Sequence, residues 1–217
     1  MPLAGRYDAA VQPSDAELLV AWSGGDRRAG ERLFRRYFAI IARYFRNKVQ
    51  DQFDDLIQQT FAGCLESIAR FRGEGTFRSY LFTVAYRVLA AHLRVKYRIA
   101  GNLDIDEISL HDLAPGPSQV VAQRREQQVL LDALRRLPLM YQTVLELYFW
   151  EDMTSLAIAE VLGLPHGTVQ TRLRRARELL TAAVERVAET SGHPTPHPLA
   201  FEEWAGALRS SLAGAGP

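Results

Sequence analysis

The chain has 217 residues, a formal net charge of +1 at pH 7 and 47% hydrophobic residues. This length suits one or two domains, and the apolar content is sufficient for a buried core. Because the net charge is close to zero, it does not indicate whether the protein binds nucleic acid. The charge is unevenly distributed, because residues 1–98 contain 16 Lys and Arg against 10 Asp and Glu, whereas residues 99–123 contain four acids and neither Lys nor Arg.

The single cysteine, Cys64, excludes an intrachain disulfide, which is typical of proteins of a reducing compartment. It shares the apolar face of a predicted helix with Phe61 and Leu65, so we expect a buried, unreactive thiol. No apolar run reaches the ~18 residues of a membrane span, and the N-terminus lacks the apolar region of a signal peptide. These features predict a cytoplasmic protein without membrane insertion.

The first half of the chain has the spacing of apolar residues that is typical of amphipathic helices. Ser14 followed by Glu17 predicts a capping box at the start of the first helix. Gly24 and Gly25 end this helix, and Asp26 is placed to cap the next one. The predicted helices cover residues 14–23, 27–49, 56–71 and 78–98, with the start of the third at Asp51 to Asp55, and "RGEGTF" (72–77) is a loop.

The composition changes after residue 98. Residues 99–119 combine Gly, Pro, Ser and acids without a helical period, which indicates a linker. Helical patterns resume near Val120 and cover residues 123–137, 139–151, 154–163 and 165–180, with a break at Pro138. A second linker, "SGHPTPHP", precedes a short amphipathic tail. No segment has the pattern of a β-strand.

The segment "TSLAIAEVLGLPHGTVQTRLRRARELL" predicts a helix-turn-helix. Gly163 can adopt positive φ and end the first helix, and Pro165 suits the first turn of the second. At 100° per residue, Val169, Leu173, Ala176 and Leu180 face the core. The opposite side carries Gln170, Thr171, Arg174 and Arg175, with Arg172 and Arg177 at the boundary. Outward side chains of such a helix read base edges in DNA; the alternative is a solvated amphipathic helix.

Residues 134–180 resemble the fourth domain of bacterial extracytoplasmic function (ECF) sigma factors of the sigma-70 family, above all in "GLPHGTVQTRLRRARELL". The segments "GDRRAGERLFRRYF" and "FDDLIQQTFAGCLESIARFRGEGTFRSYLFTVAYRVLAAHLR" resemble the family's second domain. The resemblance implies an all-α chain of two helical domains. It places domain 2 at residues 10–98, an acidic flexible linker at 99–123, domain 4 at 124–187 and a C-terminal extension at 188–217.

The resemblance also implies function: binding to core RNA polymerase, recognition of the −35 and −10 promoter elements, and promoter melting. The expected partners are the clamp and flap regions of the polymerase and promoter DNA, and the family allows for an anti-sigma factor. The helix that matches the clamp-binding helix has a polar face suited to arginines, although Gln59 stands where Glu is usual. The polymerase-binding residues implied are Asp54, Asp55, Leu56, Gln58, Gln59 and Phe61; an ordinary solvated face is the alternative.

Melted −10 DNA requires cationic and aromatic surfaces, and residues 70–98 interleave basic and aromatic side chains. We expect most of these aromatics to be core, and only Phe77 or Tyr80 to reach DNA. Arg87 stands where the family often has Asn, and Ala91 where it often has Asp or Asn, which leaves the −10 preference open. The −10 residues implied are Arg72, Phe77, Arg78, Tyr80, Arg87, His92 and Arg94.

Domain 4 would bind the −35 element through the helix after Gly163. Thr171 replaces the common Ser and keeps the hydroxyl group. The residues implied are Thr168, Gln170, Thr171, Arg172, Arg174, Arg175 and Arg177. The acidic linker resembles the segment that passes through the polymerase toward the RNA exit path, where its charge would mimic RNA; a generic solvated linker is the alternative.

The tail and the function classes complete the sequence-based predictions. An apolar stripe, including Phe201, Trp204 and Ala205, predicts a regulatory helix that docks on this chain or on a partner; a frayed tail is the alternative. His193 and His197 lack further ligands, so we expect no metal site. We find no catalytic cluster or phosphate loop, and expect no cofactor and no enzyme activity. The alternative function is a stand-alone helix-turn-helix regulator, which would require a dimer and a ligand-binding or signal domain.

Overall fold

The structure is a computed structural model of the chain, and it describes residues 13–49, 52–68, 75–96, 107–113, 125–192, 202–203 and 205–206. Within these ranges the regular structure is helical, without a strand, as predicted. No helix in the described ranges has both the length and the apolar character needed to cross a membrane. The helices are α1 (Asp15–Ser23), α2 (Arg27–Arg46), α3 (Phe53–Ser67), α4 (Phe77–Lys96), α5 (Leu110–Leu113), α6 (Arg125–Arg135), α7 (Leu139–Leu145), α8 (Ser155–Leu162) and α9 (His166–Ser191).

Helices α1–α4 form an N-terminal unit in which α1 packs on α2, α2 on α3 and α3 on α4. The capping box of Ser14 and Glu17 is present at α1. The carboxylate of Asp26 accepts the backbone N–H of Arg28 at 2.9 Å and caps α2. These caps confirm the predicted starts of the first two helices. The core of the unit contains Leu33, Ile41, Phe45, Leu81, Phe82 and Leu89.

Cys64 lies on the buried side of α3, as predicted. Its side chain is completely buried. Because burial disfavours the charged thiolate, it raises the pKa of the Cys64 thiol to about 12. The thiol is therefore protonated at physiological pH, and this confirms the prediction of a buried, unreactive cysteine.

Helices α6–α9 form a C-terminal unit, in which α9 packs on α6, α7 and α8. The predicted break at Pro138 is confirmed, because Pro138 is the N-cap of α7. The prediction of one continuous helix over 139–151 is wrong in its second half. There α7 ends at Leu145 and a π-helical turn, Glu146–Trp150, follows. The N–H of Glu151 donates to the carbonyl of Glu146 at 3.1 Å, which closes the wider turn.

Part of the predicted linker is packed on the C-terminal unit. Leu110, at the start of α5, is completely buried, and the N–H of Leu139 donates to the carbonyl of Ile108 at 3.0 Å. The hydroxyl of Ser109 donates to the Asp112 carboxylate at 2.6 Å and accepts its N–H. Residues 107–113 are thus anchored; the remainder of the linker lies outside the described residues.

The last helix extends beyond the predicted end of domain 4. Val187 and Ala188 are buried on α9, which ends at Gly192 with a φ of 66°. In the tail, residues 202–203 and 205–206 are helical, and Ala205 is completely buried, as a docked helix requires. The role of this helix stays a prediction. His193, His197, Phe201 and Trp204 lie outside the residues whose side chains the structure describes.

Candidate nucleic-acid interface

The helix-turn-helix is built by α8 and α9. The hydroxyl of Thr154 accepts the N–H of Ala157 at 3.1 Å and caps α8. Gly163 ends α8 with a φ of 65°, and the following N–H, of Leu164, donates to the carbonyl of Ala159 at 3.0 Å. This left-handed C-cap confirms the predicted role of Gly163. Pro165 is the N-cap of α9 rather than its first helical residue, one position earlier than predicted.

The two faces of α9 are arranged as predicted. Val169, Leu173, Ala176 and Leu180 are buried, whereas Gln170, Thr171, Arg174 and Arg175 are exposed and Thr168 and Arg172 are half-buried. The apolar stripe fixes the helix on its unit and directs the polar stripe to solvent. The exposed set occupies the first three turns after the tight turn, where a recognition helix presents its base-reading side chains.

Two arginines of α9 have partners within the C-terminal unit. The guanidinium of Arg175 lies 2.9 Å from the carboxylate of Glu178, in an exposed pair. The guanidinium of Arg177 lies over the rings of Tyr148 and Phe149, 5.3 and 5.1 Å from their centroids. These contacts reduce the conformational freedom of both side chains while leaving both residues exposed. They therefore leave both side chains available for DNA.

The −10 prediction for Phe77 is wrong in this conformation. Only 2% of Phe77 is exposed, and its ring makes edge contacts with Trp22 and Tyr37 at centroid distances of 6.0 and 5.3 Å. Phe77 lies in helical register with buried Leu81 and Ala85, so its side chain faces the core. It offers no surface to a DNA base.

Tyr80 also has an internal role. Its hydroxyl hydrogen-bonds to the hydroxyl of Ser67 and donates to the carbonyl of Cys64 at 3.2 Å. The half-buried ring thus ties α4 to α3. Because the polar tip is satisfied within the unit, any contact with DNA would involve the ring alone.

The remaining −10 candidates fall into three groups. Arg87 and Arg94 are exposed on α4 with Ala91 between them, and their spacing of four and three residues places all three on one face. His92 is half-buried, and Arg72 lies outside the described residues. Arg78 is half-buried, because its guanidinium is 2.8 Å from the carboxylate of Glu151 in the C-terminal unit.

The polar face predicted on α3 is present. Asp54, Asp55, Gln58 and Gln59 are exposed, whereas Phe61 is half-buried and packs on Phe34 at a centroid distance of 4.5 Å. Leu56 is only 1% exposed. The prediction that Leu56 contacts a partner is wrong here, because its side chain anchors α3 in the core instead.

A cluster of polar and charged residues, most of them buried, lies between the two units and was not predicted from the sequence. We call it the interunit cluster. The carboxylate of Glu146 accepts hydrogen bonds from the side chains of Lys48, Asn47 and Gln142, the last at 2.8 Å. The carboxylate of Glu151 pairs with the guanidinium groups of Arg43 and Arg78. Arg135 donates to the backbone carbonyl of Asn47 at 2.7 Å. The members are Arg43, Asn47, Lys48, Arg78, Arg135, Gln142, Glu146 and Glu151.

Burial dominates the electrostatics of this cluster. Glu146 and Glu151 are about as buried as core leucines, with side-chain exposures of 1% and 2%. Burial lowers the pKa of Lys48, and the nearby Glu146 carboxylate opposes that shift. The sequence held one signal: an acid, Glu146, within the otherwise apolar stretch "VLELYFW". A buried acid requires a partner, but the sequence did not reveal that the partner lies in the other unit.

The units also meet along α4 and α8. Gly75, just before α4, has a φ of 80°, and a Cβ at this position would lie 3.1 Å from a carboxylate oxygen of Glu160 on α8. The first helix of the helix-turn-helix, α8, therefore covers the N-terminal end of α4, which contains Arg78, and Gly75 just before it.

Comparison with known proteins identifies both units. Residues 31–114 match the family model "Sigma-70 region 2", and residues 127–180 match "Sigma-70, region 4". The RNA polymerase sigma factor YlaC of Bacillus subtilis is 30% identical over 151 residues, which cover 68% of this chain and 87% of YlaC. The ECF RNA polymerase sigma-E factor of Haemophilus influenzae is 27% identical over 185 residues, 81% of this chain and 98% of that protein.

A solved structure has the same fold. CnrH, in complex with the cytosolic domain of CnrY, superposes with a TM-score of 0.58 at 21% identity, covering 80% of this chain and 99% of CnrH. The family matches occur in the order that the sequence predicted. The region 4 match lies within the C-terminal unit, whereas the region 2 match continues beyond α4 to residue 114 and so includes α5. The chain belongs to the sigma-70 family and is an RNA polymerase sigma factor of the ECF type.

Proposed function

We propose that this sigma factor reads the −35 element with α9 and the −10 element with α4 and the loop before it. Residues 10–98 then act as domain 2, residues 99–123 as the linker and residues 124–187 as domain 4. The observation that carries the proposal is the face of α9. Its exposed polar and basic stripe lies opposite a buried apolar stripe and directly follows the tight turn at Gly163.

For the −35 element, we place the first three turns of α9 in the major groove. Arg174 and Arg175 suit bidentate hydrogen bonds to guanine, and Gln170 suits adenine. Thr171 reaches a base or phosphate with its hydroxyl, which donates to the carbonyl of Gly167 at 3.0 Å in the free protein. Thr168, Arg172 and Arg177 complete the interface as backbone contacts that fix the register.

For the −10 element, we assign the exposed face of α4. Arg87 and Arg94 supply positive charge for a single strand, and the small side chain of Ala91 between them leaves room for a base. Arg78, His92 and Arg72 are further candidates, and the ring of Tyr80 is a candidate stacking surface. Phe77 is not part of this assignment because it is buried.

For the polymerase, we assign the exposed face of α3. Asp54 and Asp55 supply negative charge, and Gln58 and Gln59 supply amides, for contacts with arginines of the clamp. The acids also lie in the first turn of α3, where the helix dipole favours them. The protein would act as a non-catalytic subunit, in the bacterial cytoplasm where the polymerase works. An anti-sigma partner and a flap contact stay predictions.

The test is co-elution of the purified chain with bacterial core RNA polymerase. The wild type is expected to co-elute, and Asp55→Lys is expected to co-elute less because it reverses a charge on the assigned face. Glu185→Lys, which makes the same charge change on exposed α9, is the matched control and should behave as wild type. A wild-type chain that does not bind the polymerase, but binds duplex DNA as a dimer, would favour the stand-alone regulator.

A further inference from the structure

The interunit cluster includes Arg78, which the proposed function names as a candidate for −10 DNA. We propose that Glu146 and Glu151 hold the free sigma factor in a closed, autoinhibited form in which the C-terminal unit covers part of the −10 surface. This inference rests on the proposed function, since the covered surface matters only if α4 reads the −10 element. The occupant of the surface is the chain itself.

Glu151 occupies the place that a DNA phosphate would take. One carboxylate oxygen pairs with Arg78, a −10 candidate, and the other pairs with Arg43. A carboxylate and a phosphate are alternative acceptors for the same guanidinium. While Glu151 holds Arg78, that arginine is not available to a nucleic acid.

Glu146 secures the contact one turn earlier. It accepts hydrogen bonds from Lys48 and Asn47 of the N-terminal unit and from Gln142 of its own unit. The π-helical turn explains how both acids reach the same neighbour, since they are five residues apart and this turn is wider than an α-helical one. One hydrogen bond has its donor in the C-terminal unit, because Arg135 donates to the backbone carbonyl of Asn47 in the N-terminal unit.

The covering extends to the loop before α4. A carboxylate oxygen of Glu160 lies close to Gly75, and α8 packs along α4. A single strand that approached Gly75 and Arg78 would meet both a helix and negative charge. The −10 surface is therefore blocked by bulk and by electrostatics at the same end of α4.

Other proposed interfaces remain open in the closed form. The polar face of α3, the base-reading face of α9 and Arg87 and Arg94 are exposed. Polymerase binding through α3 thus does not require separation of the units, whereas full engagement of the −10 strand does. This order predicts that the factor docks first and opens afterwards.

The chemistry of the contact makes opening feasible. Buried ion pairs gain mutual attraction but lose hydration, and the two effects largely offset each other. When the units separate, every charged group of the cluster regains water. Removing one partner has a different result, because the charge that remains is then buried alone in the closed form and hydrated in the open form.

The test uses the full chain with a donor and an acceptor dye on Ala39→Cys and Ala182→Cys, two exposed helical alanines in different units. Cys64 is buried and does not compete for label under native conditions. We expect high energy transfer in the wild-type background and a clear loss of transfer in E146Q/E151Q. The matched control, E185Q/E189Q, removes the same number of charges from the exposed side of α9 and should keep the wild-type transfer.

The second readout is binding of a labelled single-stranded DNA of randomised sequence, about 20 nucleotides long so that it exceeds the site size of typical single-strand binding folds. We expect E146Q/E151Q to bind about tenfold more tightly than wild type, with a salt slope steeper by roughly 0.7 for each additional phosphate that the opened surface neutralises. The control should not differ from wild type. Equal transfer and equal affinity in E146Q/E151Q and wild type would overturn the proposal.

A paired comparison keeps the proposal testable if E146Q/E151Q fails to fold, as far-UV circular dichroism would reveal. E146Q leaves Lys48 buried without its carboxylate and should open the units, whereas K48M/E146Q leaves no uncompensated charge at this site and should close them again. If K48M/E146Q were as open as E146Q, the pair would not be responsible. Failure of the wild type to bind core polymerase would instead refute the proposed function, whatever the dyes show.

Discussion

The turn between α8 and α9 depends on the backbone of Gly163, and this dependence can be measured. Its φ of 65° lies in the left-handed region, and a Cβ at this position would meet no atom within 4 Å. The cost of Gly163→Ala is therefore the backbone term alone, about 1–2 kcal/mol. Gly167, in the first turn of α9, also has open space around a Cβ, but its backbone is helical. Gly167→Ala should stabilise the protein by roughly 0.5–1 kcal/mol.

Thermal unfolding followed by far-UV circular dichroism compares the two variants. For a chain of this size, 1 kcal/mol shifts Tm by about 2–4 °C. We therefore expect Tm to fall by about 2–8 °C in Gly163→Ala and to rise by about 1–4 °C in Gly167→Ala. Both variants add one methyl group within five positions, so steric or solvation effects would shift them alike. A Tm for Gly163→Ala at or above wild type, or shifts of the same sign, would refute the reasoning.

Three further predictions concern the DNA face and the core. In the reconstituted holoenzyme, Arg174→Ala should weaken binding to a −35 duplex by about 1–3 kcal/mol and relax the base preference at one position. The control variant, Arg186→Ala, changes an exposed arginine farther along α9 and should bind the duplex as the wild type does. Fluorescence anisotropy of a labelled duplex measures both affinities. Burial raises the pKa of Cys64 from 9.0 to about 12, so the unfolded state loses the thiol proton at a lower pH than the folded state. The free energy of unfolding should therefore fall as the pH rises between those two values. Urea titrations at several pH values should show a smaller fall for Cys64→Ala than for the wild type. Phe77→Ala should cost about 3–5 kcal/mol of unfolding free energy, so a variant with unchanged urea midpoint and reduced DNA binding would contradict its core assignment.

The helix-turn-helix was predictable because its signals are local. Gly163, the cap at Thr154 and the apolar stripe from Val169 to Leu180 each constrain only neighbouring residues, and all agree on one arrangement. The capping box of α1 is predictable for the same reason. Where the determinants of a structure lie within one or two helical turns, a single sequence contains them.

Two errors in the site residues had a signal that the sequence analysis did not use. Phe77 is in register with Leu81, Ala85 and Leu89, which are spaced by four residues and are all buried. Leu56 precedes Ile57 and Thr60, which are buried on α3. The chemical type of these side chains suited a binding surface, but their helical phase assigned them to the core. Phase should therefore take precedence when an apolar residue is considered for a site.

The interunit cluster had no local signal of comparable strength. Its partners are separated by about a hundred residues, as in Lys48 with Glu146 and Arg43 with Glu151. A π-helical turn, which places the two acids on the same neighbour, leaves no periodicity that differs clearly from an α-helix over five residues. Only the tertiary arrangement reveals that acids of one unit neutralise bases of the other.

The composition of this contact bears on how the sigma factor would be activated. An apolar contact loses all of its stabilisation when apolar surface meets water, whereas the charges of Glu146, Glu151, Lys48 and Arg43 regain hydration on separation. A closed form favoured tenfold corresponds to only about 1.4 kcal/mol, and it lowers the apparent affinity for DNA by about the same factor. A few phosphate contacts, made once polymerase holds α3 beside a promoter, supply that much. Charged residues at this position thus give an interface that is specific in its register and that the correct complex can open.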